Sequence, residues 1–219
     1  MKNIVHLAAK AWKIGIGNTI RGFMIKSRYS ALREEYGFDP WHVAPLELRR
    51  YAVGMSRLLE RRIRSGDVVV DVGCGLGDLL RTLSDRASAR ADYYGFDLSA
   101  EAIAAAKHIN RQRNIRFACG SFAEIKNHID GPIDWLVAVN FFHVTNPEAI
   151  KGYIQELLST SPVRHIVVDV VPANGIKHDF SKLLPPEYQL EYTSEPYEGG
   201  RLIQIFSDKK NDDADSVGS

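Results

Sequence analysis

Cysteine is scarce. Only Cys74 and Cys119 occur, with neither a CxxC spacing nor histidines at metal-ligand offsets. That argues against a disulfide framework and a zinc site, and no metal is expected; a reducing compartment fits. Long apolar runs are also missing, since none approaches the roughly 18–20 residues that cross a bilayer. The opening MKNIVHLAAKAWK lacks the unbroken apolar core of a secretory signal. A cytoplasmic location is therefore expected.

Acids are absent from the first 33 residues, which carry Lys2, Lys10, Lys13, Arg21, Lys26, Arg28 and Arg33 before the first acid, Glu34. The overall charge of +1 conceals this, because the remainder holds 21 basic and 27 acidic residues, a net of −6. A body of that sign lacks the basic footprint that nucleic acid requires, and no nucleic-acid partner is expected. Residues 1–30 read as a basic amphipathic leader. Val5, Ala8, Trp12 and Ile16 share one helical face and Lys2, His6, Lys10 and Lys13 another, with Gly15 and Gly17 weakening any continuous helix. Such a segment suits the inner face of an anionic membrane as a peripheral contact, or else a helix over the mouth of a site.

Length predicts one domain with extensions, since domains usually run about 100–200 residues. Residues 1–66 are expected to form a helical N-terminal extension and substrate cap. Within it, Leu48, Ala52, Met55, Leu59 and Ile63 recur at helical spacing. From Asp67 the pattern alternates between strands and helices. Val68–Val72, Tyr93–Phe96, Ile115–Ala118, Trp135–Val139 and Ile166–Val168 read as strands. Ala100–Asn110 and Pro147–Leu158 read as helices, capped by Ser99 and Asn146. Gln189–Tyr192 and Leu202–Phe206 flank Glu198-Gly199-Gly200 and read as an antiparallel hairpin. A doubly wound α/β domain over residues 67–207 follows, with a polar, disordered tail at 208–219.

The chemistry is concentrated in Val68-Val-Val-Asp71-Val-Gly73-Cys74-Gly75-Leu-Gly77-Asp78, where a strand feeds a glycine-rich turn and then a helix. Missing Cβ atoms let backbone approach a ligand closely. The Gly-x-Gly-x-Gly spacing differs from the Gly-x-Gly-x-x-Gly of dinucleotide loops, which disfavours a nicotinamide oxidoreductase. Asp71 beside the turn suits a cationic ligand better than a phosphate. Gly95-Phe96-Asp97-Leu98-Ser99 follows one βαβ unit later, and the Asp97 carboxylate can accept two hydrogen bonds from a diol.

These paired motifs resemble those of class I, seven-stranded S-adenosylmethionine-dependent methyltransferases. The resemblance implies that Asp71, Gly73, Cys74, Gly75 and Gly77 hold the methionine part of S-adenosyl-L-methionine, and that Asp97 and Leu98 hold its ribose. It also implies an adenine contact after the third strand. Many relatives carry an acid there, whereas this chain has Ser121 and Phe122. Asn140, at the end of the fourth strand, joins the implied cofactor set. Phe141 and Phe142 replace the Pro-Pro-aromatic of base and glutamine methylation, so that subgroup is disfavoured. His143 resembles the histidine of many small-molecule methyltransferases; it serves either as general base or as packing beside the cofactor. Asp169, inside an apolar run, is either a salt-bridge partner or a site acid.

Tyr36–His42 lies outside the cofactor core. Phe38-Asp39-Pro40-Trp41-His42 resembles a stretch of methyltransferases from bacterial cell-surface polysaccharide loci; alternatively it is a hydrophobic anchor with a turn at Asp39-Pro40. The expectation is O-methylation of a small hydroxyl-bearing acceptor, a saccharide by preference, with His143, His42 and Asp169 near the acceptor. The alternatives are an RNA or protein methyltransferase and a nonenzymatic S-adenosylmethionine-binding partner.

Overall fold

The computed structural model describes residues 15–87, 90–172 and 178–209. Residues 1–14 of the expected leader and most of the expected polar tail therefore lie outside the described residues.

Seven strands form one sheet in the order β3-β2-β1-β4-β5-β7-β6. They are β1 (Val68–Val72), β2 (Asp92–Asp97), β3 (Ile115–Cys119), β4 (Ile133–Ala138), β5 (Val163–Val170), β6 (Tyr188–Thr193) and β7 (Leu202–Asp208). The first five pair in parallel, while β7 runs antiparallel between β5 and β6. This is the expected doubly wound sheet ending in a hairpin. Chain order reverses between β1 and β4, which opens a crevice at their carboxyl ends.

Alternation along the strands feeds a core on each face. Val70, Val72, Leu136 and Ala138 pack with Phe122, Phe142 and Ile150 on one side. Val69, Val137, Val167 and Ile205 pack with Met55, Leu59, Leu80 and Leu83 on the other. The covering helices are α1 (Ile16–Tyr36), α2 (Arg50–Glu60), α3 (Asp78–Arg86), α4 (Ala100–Asn110), α5 (Pro147–Thr160) and the short α6 (Phe180–Leu183). Caps form where the residues dictate. The Ser99 hydroxyl accepts the Ala102 N–H at the start of α4, and the Asn146 side chain accepts the Ala149 N–H at the start of α5.

The N-terminal extension departs from its expected division. One helix, α1, runs through residue 30 and ends at Gly37, in the left-handed region with φ 80°. Packing accounts for this continuity. Tyr29 and Leu32 join Phe38, Leu76, Ala102 and Ala105 in a third cluster, and a Cβ on Gly22 would come within 2.5 Å of Leu48 Cδ2. The expected α2 stripe is also divided, since Leu48 sits in a separate 3-10 turn before the helix.

Candidate functional site

A cavity of about 850 Å³ opens at the β1–β4 crevice. The turn after β1 forms one wall. Gly73 and Cys74 donate their N–H groups to the Phe96 carbonyl at 2.8 and 3.0 Å, which ties the turn to the end of β2. Gly77, at φ 75°, shows why glycine is needed: a Cβ there would lie 2.5 Å from Phe117 Cζ.

Asp71 and Asp97 both line the cavity and are nearly buried, at 6% and 9% exposure. Asp97 Oδ2 accepts the Gly75 N–H at 2.8 Å and Oδ1 accepts the Ser99 N–H at 3.0 Å. Each oxygen keeps a further lone pair for another donor. The Asp71 side chain makes no hydrogen bond among the described residues. Burial, together with the Asp97 and Asp78 carboxylates, pushes its pKa up to about 8. On the cavity lining five acids, Asp39, Asp71, Asp78, Asp97 and Glu101, accompany one guanidinium, Arg49. Among the described residues, no group of three His, Cys, Asp or Glu side chains could hold a metal. Cys74 lines the cavity too, with its thiol pushed up by burial.

The 3-10 turn Pro40–Val43 and the segment after it add Asp39, Trp41, His42, Leu46, Arg49 and Tyr51 to the lining. His42 leans on the turn, its Nδ1 2.9 Å from where a Gly75 Cβ would stand. Burial lowers its pKa, opposed by Asp97 and Asp39. His42 thus lies on the Gly75–Asp97 side of the cavity. A buried polar chain, legible in no sequence motif, holds this cap on α3. Tyr29 donates to Asp78 Oδ1, Leu46 N–H donates to Asp78 Oδ2 at 3.1 Å, and Arg81 pairs with Asp78 at 3.0 Å and Glu47 at 3.1 Å.

At the end of β4, Asn140 adopts φ 62°, rare for a residue with a side chain. Its N–H donates to Asp169 Oδ1 at 2.9 Å, and its Oδ1 accepts from Arg201 at 3.3 Å. Arg201 also pairs with Asp169 at 2.8 Å and lies over the Tyr51 ring at 4.0 Å. Asn140, Phe141 and His143 line the cavity, and His143 Nδ1 is buried without a hydrogen-bond partner among the described residues. Asp169 does not line it: its side chain is fully buried beneath Asn140, on the salt-bridge side of the expected alternatives. Burial raises its pKa, with Arg201, the Asn140 N–H and His143 opposing. His178, which no sequence signal singled out, holds the Phe142 carbonyl at 3.0 Å.

Ser121 and Phe122 stand apart from the cavity lining. The Ser121 hydroxyl and N–H both donate to Glu124 Oε2, at 2.8 and 2.7 Å. Phe122 is buried between Phe141, Phe142 and Tyr153. Leu98, 67% exposed, does line the cavity beside Asp97.

Residues 69–160 match a family model described as a methyltransferase domain. Solved structures with the same fold include magnesium protoporphyrin IX methyltransferase from Synechocystis PCC 6803 with bound S-adenosylmethionine. Its TM-score is 0.57 at 18% identity, covering 87% of this chain and 96% of that one. The N-methyltransferase NodS from Bradyrhizobium japonicum WM9, in complex with S-adenosylhomocysteine, has a TM-score of 0.61 at 14% identity, covering 83% and 98%. WbdD aligns at TM-score 0.51 and 17% identity over 70% of this chain and 37% of its own. No curated protein sequence matches the chain.

Proposed function

We propose that the chain is a class I S-adenosylmethionine-dependent methyltransferase, and that it methylates a hydroxyl oxygen of a small acceptor, a saccharide by preference. The observation that carries the cofactor assignment is the buried Asp71 carboxyl, without a side-chain hydrogen bond among the described residues, on a cavity lining with Asp97 and more acids than cations. A sulfonium or ammonium group supplies positive charge. Asp71 and the Gly73–Gly77 turn would hold the methionine end, with the Gly75–Asp97 hydrogen bond setting the turn against the ribose acid. S-Adenosylmethionine, when bound, supplies an electrophilic methyl carbon.

The chain's own part is alignment and proton removal. His143 lines the same cavity, and an imidazole suits uptake of a hydroxyl proton near neutral pH. Asp169, by holding the Asn140 backbone and interacting electrostatically with His143, acts as a positioning residue. His42, on the Gly75–Asp97 side, is assigned to closing over the cofactor rather than to proton transfer.

The saccharide preference rests on the cap wall. Trp41 is 64% exposed yet lines the cavity with Tyr51, Asp39 and Arg49. An aromatic face beside hydroxyl-binding charges suits a sugar ring. Labelled S-adenosylmethionine offered with panels of saccharides, RNA and proteins tests the reading by label transfer. Transfer to a saccharide is expected, and transfer confined to RNA or protein would overturn the acceptor class.

A further inference from the structure

Helix α1 buries Thr19, Gly22, Tyr29 and Leu32 against the protein. On its opposite side Ile16, Ile20, Phe23 and Met24 are exposed, at 69, 59, 43 and 70%. With 3.6 residues per turn, these four fall within an arc of about 100° pointing away from the core. Below them on the same arc come Ser27 and Ala31, so the apolar stripe is confined to the first turns, next to the basic start of the chain. Lys26 and Arg28 flank the stripe from its two sides and make no ion pair among the described residues.

We propose that this outward face of α1 docks on the surface of an anionic lipid bilayer. Charge complementarity decides the occupant. Seven basic residues and no acid precede Glu34, while the rest of the chain carries a net of −6. A negative surface therefore attracts the first 33 residues and repels the acidic remainder of the chain. A narrow apolar stripe bordered by cations is the pattern of a helix lying in the headgroup region. A second copy fits less well, because a two-fold contact through this face would bring two basic, acid-free segments together. Gly22 packs α1 onto Glu47 and Leu48, and the cap segment they belong to lines the cavity through Leu46 and Arg49. Docking through α1 would hold that cap, and the cavity mouth with it, beside the lipid, where a lipid-linked acceptor would be presented.

The surface binding is separable from the proposed transfer reaction, because cofactor affinity and methylation of a soluble acceptor need no vesicles. The test is co-sedimentation of the full chain with phosphatidylcholine vesicles, with and without phosphatidylglycerol, at low and high salt. Two double variants accompany it, Ile20→Ser with Met24→Ser and Lys26→Glu with Arg28→Glu. All four positions face outward, so unchanged melting and cofactor binding would verify their folding. Binding to the phosphatidylglycerol vesicles alone, weakened by salt and reduced about tenfold or more by either variant, is expected. Equal sedimentation of all three proteins would overturn the proposal. So would an absence of vesicle binding accompanied by self-association that the Ile20→Ser, Met24→Ser variant abolishes.

Discussion

Asp71 holds the sharpest conflict between stability and function in the molecule. Its carboxyl is buried beside Asp97 and Asp78, and its pKa stands at about 8 against an unfolded value near 3.9. The folded chain therefore binds this proton more tightly than the unfolded chain does. The stabilising contribution of the neutral form is complete below about pH 4 and is lost as pH rises towards about 8. Asp71→Asn should accordingly melt higher than the parent at pH 8, with the gap closing towards pH 4, while binding S-adenosylmethionine more weakly. Melting curves across that range check the first half. A variant that melts lower than the parent at pH 8 would contradict the account. His143 gives a different kind of residue-scale prediction. His143→Gln should lower turnover by about 10²–10⁴ with cofactor affinity nearly unchanged, and single-turnover label transfer measures it. Activity within about threefold of the parent would leave His143 a packing residue.

Legibility at this scale followed sequence locality. Asp71, the glycines and Asp97 stand in two contiguous motifs, so strand-turn-helix reasoning reached them. The Arg81–Glu47, Tyr29–Asp78 and Arg201–Asn140 contacts span 34 to 61 positions and leave no local pattern. Ser121 is different, because a local signal was there. Ser121-Phe-Ala-Glu124 is a capping-box sequence, and the structure shows both of its reciprocal bonds. The Glu124 carboxylate takes both the N–H and the hydroxyl of Ser121 here.

Between elements, the buried chain Tyr29–Asp78–Arg81–Glu47 joins the extension to α3, the helix that begins where the glycine turn ends. Burial lowers the Arg81 pKa, but the adjacent Asp78, Tyr29 and Glu47 groups outweigh it, and the pKa rises above its already high value. Replacing Arg81 removes the buried cation between Asp78 and Glu47, leaving Asp78 only neutral donors and Glu47 the half-exposed Arg21. Arg81→Met should therefore destabilise by about 3–5 kcal/mol, measured by denaturant unfolding. A loss below about 1 kcal/mol would mean that the network does not clamp the cap. Gly77→Ala probes the turn itself. The left-handed backbone alone costs about 1–2 kcal/mol, and the new Cβ must also displace Phe117. Reduced melting with weaker cofactor binding is expected.

For the whole molecule, periodicity was enough to give the sheet. Continuous apolar runs marked the buried parallel strands, and the glycine pair marked the hairpin. The ends of the elements were less legible, because ladder pairing extends β5 to Val163–Val170, beyond its apolar centre. The run of α1 through residue 30 was hidden as well, since contacts from Gly22, Tyr29 and Leu32 hold a helix that local propensity discourages. Asp39, Trp41, His42, Leu46, Arg49 and Tyr51 of this extension line the cavity, although it is the part of the chain with the weakest sequence signal.

The central claim is that S-adenosylmethionine occupies the Asp71–Asp97 cavity. Titration calorimetry of S-adenosylmethionine into the parent and into Asp97→Ala tests it most directly. The account predicts saturable binding by the parent, weakened in the variant by about 1.5–3 kcal/mol for a lost charge-assisted hydrogen bond. Equal affinity in the two proteins, or no binding by the parent, would contradict it.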